Sequence, residues 1–255
     1  MGPVGRVGML MAALVLSTGC TRMVDGTVVP AQGLAPRPLT GQTVEKVLPD
    51  VDELSEILGQ LKPDEYLAPI SGGIEELPDG LATEADASPH ACVGVVASMQ
   101  RSTYESAGVT DVAIEHWEGD EPGGAVLAAE AGVLALPSVA DANALFDEFA
   151  RQWQDCEGRT VTLVKGEVRG GFFTDTITQV RAEGAVLAAD VEFGHTIEGP
   201  SSPVSRALGV RANCLVEVEV TFYGNPSGRS PGKADTESSA IDIARLMMDR
   251  ISELC

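Results

Sequence analysis

Aromatic side chains are scarce in this chain. They make up 4% of 255 residues against 44% hydrophobic overall, so a sizeable core has to be built from Ala, Val, Leu and Ile. Basic residues are few as well: 17 Lys and Arg stand against 38 Asp and Glu, a formal charge of −21. Binding nucleic acid requires clustered cations on the phosphates, so that class of partner is excluded, and the same balance disfavours general adhesion to anionic headgroups. Histidine is limited to His90, His116 and His195, with no pair at ligand spacing, and no two cysteines stand as CxxC. Neither pattern predicts a metal site. Ser230 alone stands in a GxSxG (Gly228–Gly232) and an SxxK (Ser230–Lys233) pattern, inside the Gly-, Pro- and Ser-rich loop 223–234 and not at a tight strand-to-helix turn, so neither reads as a nucleophilic serine, and Gly72-Gly73 and Gly170-Gly171 are not followed by the Lys-Ser/Thr of a phosphate loop. No catalytic residue and no cofactor are expected.

What is present begins with an export signal. Arg6 is the only charge ahead of the apolar run Gly8–Leu16, which is far short of the roughly 20 residues that span a bilayer. The following Thr18-Gly19-Cys20 resembles the bacterial lipobox, whose cysteine is lipidated and becomes the mature N-terminus. Ser17 stands where the lipobox usually has an aliphatic residue, so ordinary cleavage with Cys20 as a spare thiol stays open. The resulting division is a signal peptide over 1–19, a tether carrying the lipid on Cys20 over 20–47, and a folded domain over 48–255. Pro30, Pro36 and Pro38 with Gly26, Gly33 and Gly41, and no apolar period, mark the tether. Cys92, Cys156, Cys214 and Cys255 are left. An even number in an oxidising compartment predicts two disulfides, with three pairings possible.

Asp50 and Glu53 frame a helix over 51–58 that stops at Gly59. Four prolines and three glycines between Leu61 and Pro89 predict a long irregular crossing. Ser88-Pro89 then reads as the cap and first position of a second helix running to about Thr103. Alternation predicts a strand over 110–118 with Val112, Ile114 and His116 on one side, and 125–136 reads as a further strand, either plain or with a bulge at Gly132. Ser138 caps a third helix, with Ala142, Leu145, Phe149 and Trp153 at helical spacing, which ends near Cys156. Strands follow over 160–164, 172–180 and 185–193, with one long strand within 207–223. A loop rich in Gly, Pro and Ser over 223–234 leads to a final helix from about Asp235, with Ala240, Ile243, Ala244, Met247, Ile251 and Leu254 on one stripe. The order predicts an α+β domain: a largely antiparallel sheet covered by helices.

Several stretches together resemble the PknH-like extracellular sensor domain of mycobacterial receptor kinases, a domain that also occurs alone in lipoproteins. They are Val51–Gly59, Cys92-Val93-Gly94, the run Phe149 to Cys156 with Trp153 and Cys156 close together, Arg206-Ala207, and Arg211-Ala212-Asn213 ahead of an alternating strand. The likeness covers residues 48–255. It implies a Cys92–Cys156 disulfide, which would contribute about 4 kcal/mol by restricting the unfolded chain. The family's second pair falls near Val204 and Thr221 or Phe222, which are not cysteines here, so Cys214–Cys255 is the remaining pairing. It also implies a receptor-like role: a non-enzymatic, lipid-anchored protein of the cell membrane, facing outward, that binds a small or lipidic ligand in a cleft between helices and sheet. A surface module that binds another envelope protein is the alternative. The crossing between Leu61 and Pro89 is expected to line the cleft. His116 beside Trp117 could sit in a cleft and recognise a ligand, although a hydrogen-bonded or exposed strand histidine accounts for it better. Asp50, Asp52 and Glu53 suit the start of a helix better than paired-carboxylate catalysis. Trp153 and Met247-Met248 read as core.

Overall fold

The first helix of the domain, α1 (Val51–Leu58), has the expected reciprocal cap. Asp50 Oδ1 accepts from the Glu53 N–H at 2.9 Å while Glu53 Oε2 accepts from the Asp50 N–H at 2.9 Å. Gly59, at φ 91°, ends it. In the computed structural model, residues 37–120, 124–168, 170–197, 201–224 and 234–255 are described. The signal segment, Cys20 and most of the 223–234 loop lie outside them.

The chain from Leu61 to Pro89 is more structured than its prolines and glycines predict. It contributes β1 (Leu61–Pro63), β2 (Ile70–Gly72) and β3 (Ala87–Ser88). These are short pieces that pair at the edges of a sheet, where proline is tolerated. The other strands are β4 (Asp111–Gly119), β5 (Val126–Ala135), β6 (Thr160–Val168), β7 (Gly171–Glu183), β8 (Val186–His195), β9 (Ser202–Arg211) and β10 (Cys214–Phe222). Their order is β1-β4-β5-β10-β9-β8-β7-β6-β3, with β2 also on β4 and all pairings antiparallel. After β5, the helix α4 (Val139–Cys156) carries the chain to the far side of the sheet. The chain then returns strand by strand until β10 lies against β5.

One long strand expected within 207–223 is instead the hairpin β9–β10. Ala212 takes a left-handed φ of 50°, and Arg211 pairs with Cys214 across a two-residue turn. No glycine announces that turn. The Asn213 side chain stabilises it by donating to the carbonyls of Leu39 (3.0 Å) and Leu136 (2.8 Å) and accepting from the Leu39 N–H (2.8 Å). With Leu39, Val44 and Val47 buried, the folded unit starts at least nine residues before the expected boundary at 48.

Helices cover both faces of the sheet. On one, α1, the 3-10 turn Gly41–Val47 and α5 (Ser239–Leu254) bury Ala113, Trp117 and the even-numbered side of β10. On the other, α4 and a broken helical segment bury Val112, Ile114, Leu208 and Leu215. The stretch from Ser88 to about Thr103, expected as one helix, instead holds a 3-10 turn His90–Cys92, a single turn α2 (Val93–Val96) and a second turn α3 (Arg101–Tyr104). Ala97–Gln100 is non-helical, and Met99 is at φ 54°. Gly94 and three valines are poor helix formers. There is no bulge at Gly132, since its pairing runs in register on both sides and the shift lies near Val126 instead. Gly132 leaves room for Met99, whose Sδ would stand 2.5 Å from any Cβ there.

Cys92 and Cys156 form the disulfide that ties the α2 segment to α4. The second bridge does not form: Cys214 is a buried thiol and Cys255 a partly exposed one. Burial, reinforced by Cys255 and Asp111, pushes the Cys214 thiol up to about 12. Burial also raises Cys255, so neither supplies the thiolate that exchange requires.

Candidate functional site

Arg206 of β9 is fully buried on the α4 face of the sheet. An unpaired guanidinium there would be prohibitive, and every direction of its fork is occupied. Nη2 reaches Glu217 at 3.0 Å and Nη1 reaches Glu219 at 3.2 Å, both on β10. Nε and Nη2 also donate to the carbonyls of Val95 and Gly94, at 3.1 and 3.4 Å. Glu217 in turn accepts from the Met99 N–H at 2.9 Å and from the Tyr104 hydroxyl. Burial and Glu217 hold that hydroxyl well above the ordinary tyrosine range. Glu219 accepts from the Ser98 N–H at 3.4 Å and hydroxyl at 3.1 Å.

The charged chain continues across the sheet. The Ser98 hydroxyl shares its single proton between Glu219 and Glu130 of β5, and the other Glu130 oxygen lies 2.6 Å from Nε2 of His116 on β4. Burial disfavours the His116 imidazolium, but Glu130, Asp64 and Glu219 outweigh it and raise the pKa above the usual value. Ser98 and His116 therefore meet one carboxylate from opposite sides. The imidazole makes no hydrogen bond to the serine, so it is not placed to take the hydroxyl proton as a serine nucleophile requires.

Where this chain reaches the surface there is a cavity of about 350 Å³, lined by Ser98, Gln100, Glu130, Asp175, Glu219 and Thr221 on its polar side. Leu81, Val96, Leu163, Phe193 and Val204 form its apolar side. A second recess of about 110 Å³ shares Glu130, Glu219 and Thr221 and extends to His116, Asp64 and Leu67. Asp175 of β7 is 6% exposed, and its carboxyl makes no hydrogen bond or ion pair to any described residue. Burial first, then the charge of Glu219, pushes it up to about 7, with Arg206 opposing. Burial and Glu130 likewise raise Glu219 against Arg206.

A model of the PknH-like extracellular domain matches residues 39–250. The chain belongs to that family. Among solved structures, it is similar to the extracellular domain of PknH from Mycobacterium tuberculosis at 19% identity and a TM-score of 0.67, over 86% of this chain and 100% of that one. A putative uncharacterized protein from Mycobacterium smegmatis aligns at 12% identity and a TM-score of 0.39 over 80% and 96%, too distant to support an argument. No curated protein matches the chain.

In this PknH-like domain the cleft and the ion-pair set behind it gather around Arg206 residues that no sequence motif singled out: Glu217, Glu219, Glu130, Asp175 and Ser98. The run Val216-Glu217-Val218-Glu219-Val220 alternates like a half-exposed strand, but both of its faces are covered, so its acids point inward. The signal that was available lay in Arg206 and Asn213, which sit in the stretches carrying the family likeness and prove to be a buried ion-pair centre and a clamp. Of the histidines, only His116 joins the cleft. His90 bonds the Leu81 carbonyl at 3.1 Å, and His195 packs against Phe173. Leu81, Asp64 and Leu67 bring the 61–89 crossing to the two recesses, as expected. Trp153 and Met247 are core, Met248 is buried beside Gly209, and Asp50 with Glu53 serves the α1 cap. No group of three or more His, Cys, Asp or Glu among the described residues is placed to hold a metal ion.

Proposed function

We propose that this PknH-like domain is the ligand-binding part of a non-enzymatic envelope protein, held at the outer side of the cell membrane by lipid on Cys20, and that it receives a small molecule in the cleft between the α2–α3 segment and the sheet. The observation that carries this reading is the cavity of about 350 Å³ whose wall contains a buried carboxyl, Asp175, without a partner among the described residues. Native domains rarely leave such a group unsatisfied without use for it. Membership of an extracellular-domain family supports the extracytoplasmic placement. No helix among the described residues is long and apolar enough to cross a membrane, which fits attachment through the N-terminus. The polar lining narrows the earlier expectation of a small or lipidic ligand to one with a polar or charged end.

Native mass spectrometry of the protein purified from its own envelope tests the proposal. A discrete mass that is lost on denaturation, and lost again when Leu81 and Val96 are both replaced by Trp to fill the cleft, is the expected result. A bare protein mass together with a crosslinked protein partner would replace the reading with that of an interaction module.

A further inference from the structure

We infer that the cleft seats an organic ammonium ligand, with Asp175 as its ion-pair acceptor, Glu130 and Glu219 at its rim and Leu163, Phe193 and Val204 against its apolar body; this rests on the cleft being the ligand site. The argument starts from unmet acceptors. Asp175 is almost fully buried in the cavity wall with no partner among the described residues. Gln100 Oε1, in the same wall, is buried and unpaired, and its amide nitrogen is engaged by the Ser98 carbonyl at 3.4 Å. What the site lacks is donors.

The described residues do not supply them. Among them three acids and no base line the cavity, and the buried cation Arg206 is already committed to Glu217, Glu219 and the carbonyls of Gly94 and Val95. An ammonium group brings three N–H donors and the missing charge together. A bare metal ion fits less well, because the carboxylates are spread round a volume of about 350 Å³ and do not converge as a cation's oxygen ligands must. The apolar side of the cavity would hold the rest of an organic cation.

Ionisation of Asp175 couples this binding to pH. The charges that act on it are Glu219 on β10 and Arg206 on β9, with Glu130 on β5 lining the same cavity and Glu217 on β10 and His116 on β4 beyond, paired with Arg206 and Glu130; the α2–α3 segment presents the uncharged Ser98 and Gln100. With the carboxyl titrating at about 7, a cation binds the deprotonated form and expels the proton, so affinity rises roughly tenfold between about pH 6 and 8.

Titration calorimetry on the full-length protein in detergent tests this with cyclohexylmethylammonium, cyclohexylmethanol and cyclohexanecarboxylate as cationic, neutral and anionic probes of one shape, and calcium chloride as the metal. The expected result is binding of the ammonium alone, tighter at high pH, with proton release visible as a dependence on buffer ionisation heat. D175N, confirmed folded by its thermal melt, loses at least tenfold in affinity and the pH dependence together, whereas E219Q retains the pH dependence. Equal binding of the alcohol, binding of calcium alone, binding of no probe, or an unchanged pH profile in D175N would overturn the inference. A neutral or anionic ligand found on the native protein would overturn it too while leaving the ligand-binding reading intact.

Discussion

Asp175 holds its proton to about pH 7 in the folded chain against 3.8 for the free side chain. Between those values the native state binds more protons than the unfolded state, so this residue makes stability fall as pH rises from about 4 to 7. Above pH 7 its burial costs on the order of 4 kcal/mol at most, with relaxation reducing that figure. Asp175→Asn is therefore expected to raise the melting temperature at pH 8 and to flatten the stability profile between pH 4 and 7, as followed by thermal denaturation across that range. A stabilising loss at a cavity wall is the outcome expected of a group kept for binding, since a buried acid with no partner among the described residues serves no purpose in packing. Nothing around Thr174-Asp175-Thr176 in the sequence hints at this. An acid on a strand reads as solvent-facing until the neighbouring strands and the α2–α3 cover are known.

At the scale of elements, the break between α2 and α3 has a specific cause. In a continuous helix, the N–H groups of Ser98 and Met99 would bond the carbonyls of Gly94 and Val95, four residues back. Here Arg206 takes those two carbonyls, and Glu219 and Glu217 take those two N–H groups. A buried ion-pair set from the sheet thus stands in for two helical hydrogen bonds. Arg206→Met leaves Glu217 and Glu219 uncompensated and the two carbonyls without donors, and should cost about 3–5 kcal/mol in chemical denaturation. The deficit should shrink as pH falls and the carboxylates protonate, and hydrogen exchange at Ser98 and Met99 should quicken. Local signals were enough for α1, α4 and α5, because caps and apolar stripes lie within each segment. They failed at 88–104 and at the β9–β10 turn, where the deciding groups come from more than 70 residues away: Arg206, Glu217 and Glu219 in one case, and Leu39 and Leu136, bound by Asn213, in the other.

For the whole molecule, one covalent tie joins the layer over the cleft. Cys92–Cys156 closes a separation of 64 residues, and its removal by paired serine substitution should cost about 4 kcal/mol, measured by denaturant midpoint. Alkylation of denatured, unreduced protein should label Cys214 and Cys255 and leave Cys92 and Cys156 unlabelled; labelling of neither free thiol would mean that a second bridge had formed. The family likeness located the first bridge because both of its cysteines lie in shared stretches. The likeness could not place Cys214 and Cys255, which lie apart from the family's second pair.

The sheet order also sets when the binding site can come into being. β5 ends at Ala135 and its partner β10 does not begin until Cys214, so a chain delivered through a membrane N-terminus first holds an open strand edge while everything between them emerges. Ser98 and Glu130 belong to the first part delivered; Asp175, Arg206 and Glu219 belong to the last. Translocation must be nearly finished before the two parts can meet, so a half-exported chain has no cleft and its Ala- and Val-rich edge needs shelter until the final strand and α5 arrive.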